Sequence, residues 1–376
     1  MNDKARILYY YGSQQFDTGS PKALAGFIDT LDRSRFEPLF WAKGQGPLVD
    51  ALVSHSVKIV IREANQISLR HPARSLQQIR RMISHLRQVD PDLLHITGFE
   101  WNLDLVLAAW ALRVPIILHV HTPETAHFRN LHRFAATKVL FCSEFQRRNF
   151  HHLERIAGKT EVLYNPVNVG RFADAKPVRL KFGIDETAVV ITTVAQISKR
   201  KGIDIILETA RLLLAGRSNL VFLIVGPDGL GEEGYAAEMR RQAVEDPALR
   251  GRVRFLGSRQ DIPELLASSN LFLLPTLAEP FGIAVVEAMA ARLPVVVSHV
   301  GGIPEIVTSS AVGHTVPEGT PTAFACAITE ILDQPDMGQS IGAKALESVR
   351  ARFDTAVIGQ KLGSIYEDIL SAREGK

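Results

Sequence analysis

The chain has 376 residues, of which 46% are hydrophobic and 22% are charged, and its formal net charge at pH 7 is +3. This composition is typical of a globular protein with sizeable cores, and the length predicts two or more domains. No apolar run approaches the roughly 18 residues that a membrane-spanning helix requires, so no such helix is predicted.

In the first half of the chain, short apolar segments alternate with amphipathic ones. We predict strands at residues 6–11, 37–42, 57–61, 93–96, 116–120, 138–142 and 161–163. We predict helices at residues 21–31, 76–88, 102–112 and 144–151. Residues 1–6 are charged and lead directly into the first strand, without the apolar core of a signal peptide, so a cytoplasmic protein is expected.

Two strand ends of the first half carry candidate functional residues. Residues 17–21 follow the first strand and contain a strong helix start, because Ser20 can cap a helix and Pro21 suits its first position. His121 closes the fifth predicted strand, at the carboxyl end where parallel sheets bind ligands. Since side chains alternate along a strand, we expect His119 to point to the opposite face.

The segment 70–87 contains five arginines and no acidic residue. Apolar residues at helical spacing predict one docking face, formed by Leu76, Ile79, Ile83 and Leu86. The charged face is either solvated or binds an anionic acceptor or an anionic membrane, with Arg74, Arg80 and Arg81 as candidates. Residues 1–174 carry 22 Lys and Arg against 16 Asp and Glu, a net charge of +6. No aromatic residues interleave with the arginines, so nucleic acid is not a predicted partner.

Residues 165–177 are rich in Asn, Pro and Val and lack a clear period, so we place an interdomain connection there. Beyond it we predict strands at residues 188–195, 220–225, 253–256, 271–274 and 294–298, and helices at residues 202–215, 235–244, 262–267, 282–290 and 322–332. This alternation predicts an α/β fold with parallel sheets covered on both faces. Cys142 and Cys326 are far apart in sequence, and we interpret each as a small buried hydrophobe.

The most informative stretch lies between Glu279 and Glu287, two carboxylates eight positions apart. The strand before it ends at Pro275 and an apolar helix begins near Gly282, so Glu279 lies at the carboxyl end of a parallel strand. Free amide groups and the helix dipole favour an anion at such a helix start. Gly282 lets a phosphate approach the backbone, because no Cβ stands in the way.

This stretch resembles the E-x7-E motif of the retaining GT-B glycosyltransferases of family four, which use nucleotide sugars. The resemblance extends from about residue 189 to residue 307 and includes residues 300–305, which are similar to the family's G-G-x-x-E turn. It implies a GT-B architecture of two Rossmann-like domains facing across a cleft. The expected domains are residues 1–168 and 169–356, with the C-terminal helix 357–376 crossing back onto the first domain.

The resemblance also implies roles for individual residues. The catalytic residues implied are His121 and Glu279, which contact the donor sugar, and Lys201, which stabilises the departing diphosphate. The donor-binding residues implied are Gly19, Gln196, Arg200, Gly226, Arg259, Phe281, Gly282, Ile283 and Glu287, the last of which holds the ribose. Asp261, two residues after Arg259, is expected to cap the next helix.

One segment departs from the family pattern. Residues 194–202 are similar to G-R-L-x-x-x-K-G at Lys201 and Gly202, but Gln196 stands at the arginine position. Glutamine can donate a neutral hydrogen bond but supplies no charge. We therefore expect either Lys199 or Arg200 to compensate at the diphosphate.

The function implied is a metal-independent, retaining hexosyltransferase without a cofactor, which acts in glycan, glycolipid or cell-envelope polysaccharide synthesis. Its implied partners are a nucleotide sugar and a glycan or lipid-linked acceptor, and it could associate peripherally with the inner face of an anionic membrane. Two alternatives stay open: a sugar-nucleotide epimerase of the same architecture, and a non-catalytic sugar-nucleotide-binding protein. The sequence contains no His/Cys cluster with zinc-site spacing.

Overall fold

The computed structural model describes residues 4–16, 19–62, 70–98, 103–121, 135–150 and 156–374. The chain divides into two compact units. The N-terminal unit comprises Met1–Pro166 and Thr355–Lys376, and the C-terminal unit comprises Val167–Asp354. The last helix, Thr355–Glu374, therefore belongs to the N-terminal unit, where it packs against the first helix of the chain.

The N-terminal unit is built on a seven-stranded parallel sheet. Its strands are β1 (Ala5–Tyr11), β2 (Phe36–Ala42), β3 (Lys58–Ile61), β4 (Leu93–Thr97), β5 (Ile116–Val120), β6 (Lys138–Phe141) and β7 (Thr160–Val162), in the order β3-β2-β1-β4-β5-β6-β7. Its described helices before the C-terminal one are α1 (Gly19–Asp29), α2 (Pro47–Ser54), α3 (Pro72–Val89), α4 (Leu103–Ala111) and α5 (Glu144–Arg148). All residues of β4 and β5 are buried, as expected of parallel strands covered on both faces.

The C-terminal unit contains a second parallel sheet, of six strands. Its strands are β8 (Val189–Val194), β9 (Leu220–Val225), β10 (Val253–Gly257), β11 (Leu271–Leu274), β12 (Val295–Ser298) and β13 (His314–Val316), in the order β10-β9-β8-β11-β12-β13. Its helices are α6 (Val169–Ala173), α7 (Ile203–Leu214), α8 (Glu233–Glu245), α9 (Ile262–Ala267), α10 (Ile283–Ala290), α11 (Ile303–Ile306), α12 (Pro321–Asp333) and α13 (Pro335–Phe353).

Each sheet has a point at which the strand order reverses. In the N-terminal unit this point lies between β1 and β4, and in the C-terminal unit it lies between β8 and β11. Both units are thus Rossmann-like, and the predicted α/β class with two such domains is confirmed. In sheets of this kind, ligands bind beyond the carboxyl ends of the strands at the reversal point. A ligand-binding site is therefore expected at the loops that follow β8 and β11.

Several predicted features need correction. Leu76, expected in the docking face of α3, has an exposed fraction of 50%, and the buried residues of that helix are Ser75, Met82 and Leu86. The apolar stripe is therefore narrower than the pattern predicted. Cys326 is exposed rather than buried, whereas Cys142 is buried.

Among the described residues, no helix is both long and apolar enough to cross a membrane.

Candidate active site

The loop after β8 approaches the end of β11 closely enough to require a glycine. Gly202 has φ +67°, and a Cβ at this position would lie 2.1 Å from the carbonyl oxygen of Pro275. A positive φ and a backbone contact this short both exclude a side chain. Gly202 thereby lets the preceding residue, Lys201, lie over the carboxyl end of β11.

Arg200 fastens the same two loops together. Its carbonyl oxygen accepts hydrogen bonds from the Leu277 amide, at 2.8 Å, and from the Thr276 hydroxyl, at 3.0 Å. Its guanidinium donates to the carbonyl oxygen of Ala278, at 2.9 Å. The loop after β11 is therefore held in place directly before Glu279. The Arg200 side chain, predicted to contact the donor, braces this loop in the structure.

The loop after β12 supports Glu279 from the other side. A Cβ at Gly301, which has φ +61°, would lie 1.9 Å from the Glu279 carbonyl oxygen. The Gly302 amide donates a hydrogen bond of 2.9 Å to that same oxygen. The two glycines of the predicted G-G-x-x-E turn therefore serve to bring β12 against the Glu279 backbone.

These contacts place two predicted catalytic residues together. The Lys201 ammonium forms a salt bridge with the Glu279 carboxylate, and the exposed fractions of the two side chains are 13% and 12%. The residues are 78 positions apart in sequence and meet because their loops follow the two strands at the reversal point. The edge of this sheet thus presents a cation and a carboxylate, both largely shielded from solvent.

Helix α10 begins beside this ion pair. Gly282 stands at its N-cap with φ 116°, and Ile283 is its first residue. The first amide groups of a helix have no intrahelical acceptor and favour an anion. Glu287 lies half-buried within the helix. The Phe281 side chain, in contrast, is a core residue, buried in an edge-on contact with Phe353 at 5.5 Å between ring centroids.

The loop after β9 completes this edge of the sheet. A Cβ at Gly226, which has φ +152°, would lie 1.9 Å from the Ala195 carbonyl oxygen. The Ile197 amide donates to the Pro227 carbonyl at 2.8 Å, which joins the loops after β8 and β9. Gln196 is half-buried between these contacts. The structure therefore gathers Gln196, Gly226 and the Lys201 ion pair along one edge.

Arg259 has partners of its own. Its guanidinium donates two hydrogen bonds to the Asp261 carboxylate, at 2.7 and 2.8 Å, and stacks on the Phe182 ring at 5.1 Å. Lys181 also contacts this carboxylate, and the two cations hold the pKa of Asp261 far below its usual range, Arg259 most strongly. Asp261 stands at the N-cap of α9, but its side chain makes no cap hydrogen bond, so the predicted capping role is wrong.

In the N-terminal unit, the predicted site residues lie at the ends of β1 and β5. Gly19 is the exposed first residue of α1, and the adjacent residues 17 and 18 lie outside the described part of the chain. His121 directly follows β5 and is buried. The rings of His119 and His121 lie 4.2 Å apart, so they share a face and the predicted opposite orientation is wrong. Residues two apart on a strand point to the same side.

Burial keeps three histidines of this unit, His95, His119 and His121, neutral at pH 7. His95, on β4, stacks on His119 at 5.5 Å between ring centroids. Burial lowers the pKa of His95 and of His121 to about 3, and the Asn165 amide acts in the opposite direction on His121. The pKa of His119 is also well below its usual value, because the ring is buried beside the other two imidazoles. Sequence reasoning missed His95, although a histidine inside an apolar strand was a signal of a buried polar group.

The arginines of α3 differ from those of the C-terminal unit. Arg74, Arg80 and Arg81 are exposed, and no carboxylate of the described chain pairs with them. In the C-terminal unit, surface arginines form ion pairs: Arg211 with Asp246, Arg217 with Asp333, Arg240 with Asp228 and Arg241 with Glu238. Within the described residues, these three α3 arginines therefore have no ion-pair partner.

Comparison with known proteins identifies the family. The model of the family Glycosyltransferase Family 4 matches residues 19–171, and that of Glycosyl transferases group 1 matches residues 174–348. The chain belongs to the group 1/family 4 glycosyltransferases. The two matches meet close to the junction between the two structural units.

Two relatives of this glycosyltransferase are distant in sequence but align over most of the chain. N-acetyl-alpha-D-glucosaminyl L-malate synthase of Bacillus anthracis is 24% identical over 325 residues, which cover 81% of this chain and 82% of the relative. Phosphatidyl-myo-inositol mannosyltransferase of Mycobacterium leprae is 28% identical and covers 75% of each chain. The crystal structure of Anabaena Alr3699/HepE in complex with UDP and glucose has a TM-score of 0.80 at 23% identity, with 96% of this chain and 99% of that chain covered. These similarities support the GT-B fold.

Proposed function

We propose that this glycosyltransferase is a retaining, metal-independent enzyme that moves a hexosyl group from a nucleoside-diphosphate sugar to an acceptor hydroxyl. The observation that carries the proposal is the Lys201–Glu279 ion pair beside the start of α10, at the reversal point of the C-terminal sheet. A cation and free helix amides suit a diphosphate, and a neighbouring carboxylate suits sugar hydroxyls.

In this proposal the C-terminal unit stabilises the leaving group. The bond between the anomeric carbon and the diphosphate oxygen breaks, and negative charge develops on the diphosphate. The Lys201 ammonium and the amides of Gly282 and Ile283 stabilise that charge, an electrostatic contribution that is typically large. The anomeric carbon bonds to the acceptor oxygen on the same face, and the acceptor proton leaves with the diphosphate. No residue of the protein is assigned as a nucleophile.

The other predicted residues position the donor. Glu279 exchanges its salt bridge for hydrogen bonds to the sugar hydroxyls, and Glu287 binds the ribose. His121 orients the sugar from the N-terminal unit as a neutral imidazole, because its pKa is lowered to about 3 by burial. Gln196 and Gly226 contribute uncharged contacts to the donor. A role for Arg259 requires its guanidinium to leave the Asp261 carboxylate, so we assign it to the scaffold.

The acceptor is proposed to be anionic. The names of two relatives specify L-malate and phosphatidyl-myo-inositol, and both of these molecules carry negative charge. The sequence through residue 174 has a net charge of +6, and the α3 arginines Arg74, Arg80 and Arg81 have no carboxylate partners in the described chain. A lipid-linked acceptor would be reached at the surface of an anionic membrane by the same helix.

The test is product analysis with anomer-resolved NMR. The enzyme is incubated with UDP-, GDP- or ADP-hexoses and with malate, inositol phosphates or phosphatidylinositol vesicles, with and without EDTA. The expected product is a glycoside with the anomeric configuration of the donor, formed equally in EDTA. An inverted glycoside contradicts the retaining mechanism, and loss of activity in EDTA contradicts metal independence. A free, altered sugar formed without acceptor identifies an epimerase instead.

A further inference from the structure

A group of buried aromatic rings lies under His121. It comprises Tyr9 of β1, Phe27 of α1, His95 of β4, His119 of β5 and Tyr366 of the C-terminal helix. Each of these five side chains has an exposed fraction of 0%, and that of His121 is 6%. The group therefore connects the C-terminal helix, through Tyr366, to His121 at the carboxyl end of β5.

The contacts within this group form one continuous path. His121 leans on His119 at 4.2 Å between ring centroids, and His119 stacks on His95 at 5.5 Å. The Nδ1 atom of His95 forms a hydrogen bond of 2.6 Å with the Tyr366 hydroxyl. The Tyr366 and Tyr9 hydroxyls form a further hydrogen bond of 2.7 Å. Phe27 packs against His119, with 4.7 Å between the ring centroids.

The buried imidazoles of this path lower the stability of the fold. Among the described residues, His95 Nε2 and both ring nitrogens of His119 make no well-formed hydrogen bond, although the Leu163 backbone lies close to His119. Burying polar nitrogens without good partners costs stability, whereas leucine or phenylalanine would fill the space without that cost. Neutral imidazoles in such positions therefore indicate a role other than packing.

The geometry points to His95 and His119 as positioning residues for His121, with Tyr366 as the group that orients them. The inference rests on the proposed role of His121 at the donor sugar. A hydrogen bond to one ring nitrogen fixes the orientation of a neutral imidazole. The hydrogen bond with Tyr366 thus orients the His95 ring, and the ring contacts through His119 transmit that orientation to His121. The C-terminal helix contributes to the site without contacting substrate.

A double-mutant cycle tests this inference. Tyr366→Phe removes only the hydroxyl and keeps the ring. If Tyr366 acts through His121, we expect it to lower kcat about tenfold in the wild-type background and to have no further effect in His121→Ala. Binding of the bare nucleoside diphosphate should stay unchanged. The matched control is Tyr10→Phe, on the adjacent position of β1 and hence on the other face of the sheet, which should leave kcat unchanged.

A spectroscopic measurement keeps the test independent of activity. In protein labelled at its histidine rings, NMR shifts of the ring nitrogens report the tautomer of each imidazole. Tyr366→Phe should shift the His95, His119 and His121 signals, and Tyr10→Phe should not. Unchanged His121 signals in a folded Tyr366→Phe protein would overturn the inference, as would equal losses of kcat in both backgrounds. Absence of turnover in the wild type would refute the proposed function and leave the NMR result to decide the inference.

Discussion

At the scale of single residues, the salt bridge between Lys201 and Glu279 determines what a substitution in the site does. Each residue was predicted from its position in a motif, Lys201 before a glycine at the end of one strand and Glu279 before a helix. Their contact could not be predicted, because it depends on how closely two loops 78 positions apart approach each other. The approach of these two loops depends on Gly202, because a Cβ at this position would collide with the carbonyl oxygen of Pro275.

The first prediction concerns Glu279→Gln. Glutamine cannot neutralise Lys201, so the ammonium becomes more available to a diphosphate, and we expect the bare nucleoside diphosphate to bind a few-fold more tightly. Turnover should fall on the order of a hundredfold, because sugar contacts made in the transition state are lost. Glu287→Ala is the matched variant. It should weaken binding of the bare nucleoside diphosphate, since the ribose is present both in that compound and in the nucleotide-sugar donor. Calorimetry and steady-state kinetics measure these effects, and weaker nucleotide binding by Glu279→Gln would contradict them.

The second prediction separates two neighbouring cations. The Arg200 side chain braces the loop after β11. Lys199 bonds through its backbone, whose amide donates to the Glu232 carboxylate, whereas its ammonium has no partner in the described part of the chain. We expect Arg200→Ala to lower stability by roughly 1 kcal/mol, a value discounted because the side chain is exposed. Lys199→Ala should leave Tm unchanged but weaken nucleoside-diphosphate binding several-fold, if Lys199 compensates for Gln196. Calorimetry and thermal unfolding distinguish the two, and unaltered affinity in Lys199→Ala would show that it does not compensate.

At the scale of elements, the alternation of strands and helices predicted most of the fold. Strands β5, β9 and β11 have the predicted bounds. Helix α13 was not predicted, because its buried face includes Gly338 and Gly342, which weaken the helical pattern. Gly342 is needed where a Cβ would lie 2.1 Å from the Arg292 carbonyl oxygen, a constraint of packing between elements that no local pattern shows.

The third prediction tests the approach of the β8 loop to β11. Gly202→Ala introduces a Cβ against the Pro275 backbone at a positive φ, so the loop must move. We expect a loss of roughly 2–3 kcal/mol, which corresponds to about 4–12 °C in Tm for a unit of this size, and loss of donor binding. The control is Gly216→Ala, at the end of α7, where a Cβ would meet no atom within 4 Å. A Gly202→Ala protein with unaltered Tm and affinity would contradict the role of this glycine.

The fourth prediction concerns the charged face of α3. Replacing Arg80 and Arg81 by glutamate should raise KM for an anionic acceptor at least tenfold without changing donor affinity, because both side chains are exposed and unpaired within the described chain. Sedimentation with anionic vesicles shows whether the same face also binds a membrane. Lys22→Glu in α1 changes one exposed charge elsewhere in the unit and serves as a control. Unchanged acceptor kinetics would mean that the arginines are only solvated.

At the scale of the whole molecule, the N-terminal unit carries an acid-sensitive core. The fifth prediction follows from His95 and His121, whose pKa is about 3 in the folded chain and about 6.5 when unfolded. Between these pH values the unfolded chain binds more protons, so stability rises with pH. Acidification from pH 7 to pH 5 should cost roughly 2 kcal/mol for each of these two histidines. Thermal unfolding of His95→Leu should show a shallower dependence on pH than that of the wild type, and an equal slope would contradict the effect.

The donor site in the C-terminal unit is tested most directly by thermal unfolding with a panel of UDP-, GDP- and ADP-sugars. A donor at a hundred times its Kd should stabilise by about 2.7 kcal/mol, or about 5–10 °C for a unit of this size. We expect at least one of these sugars to produce such a shift in the wild type and to lose most of it in Lys201→Ala. No shift with any nucleotide sugar, or an equal shift in Lys201→Ala, would contradict a donor site built around Lys201 and Glu279.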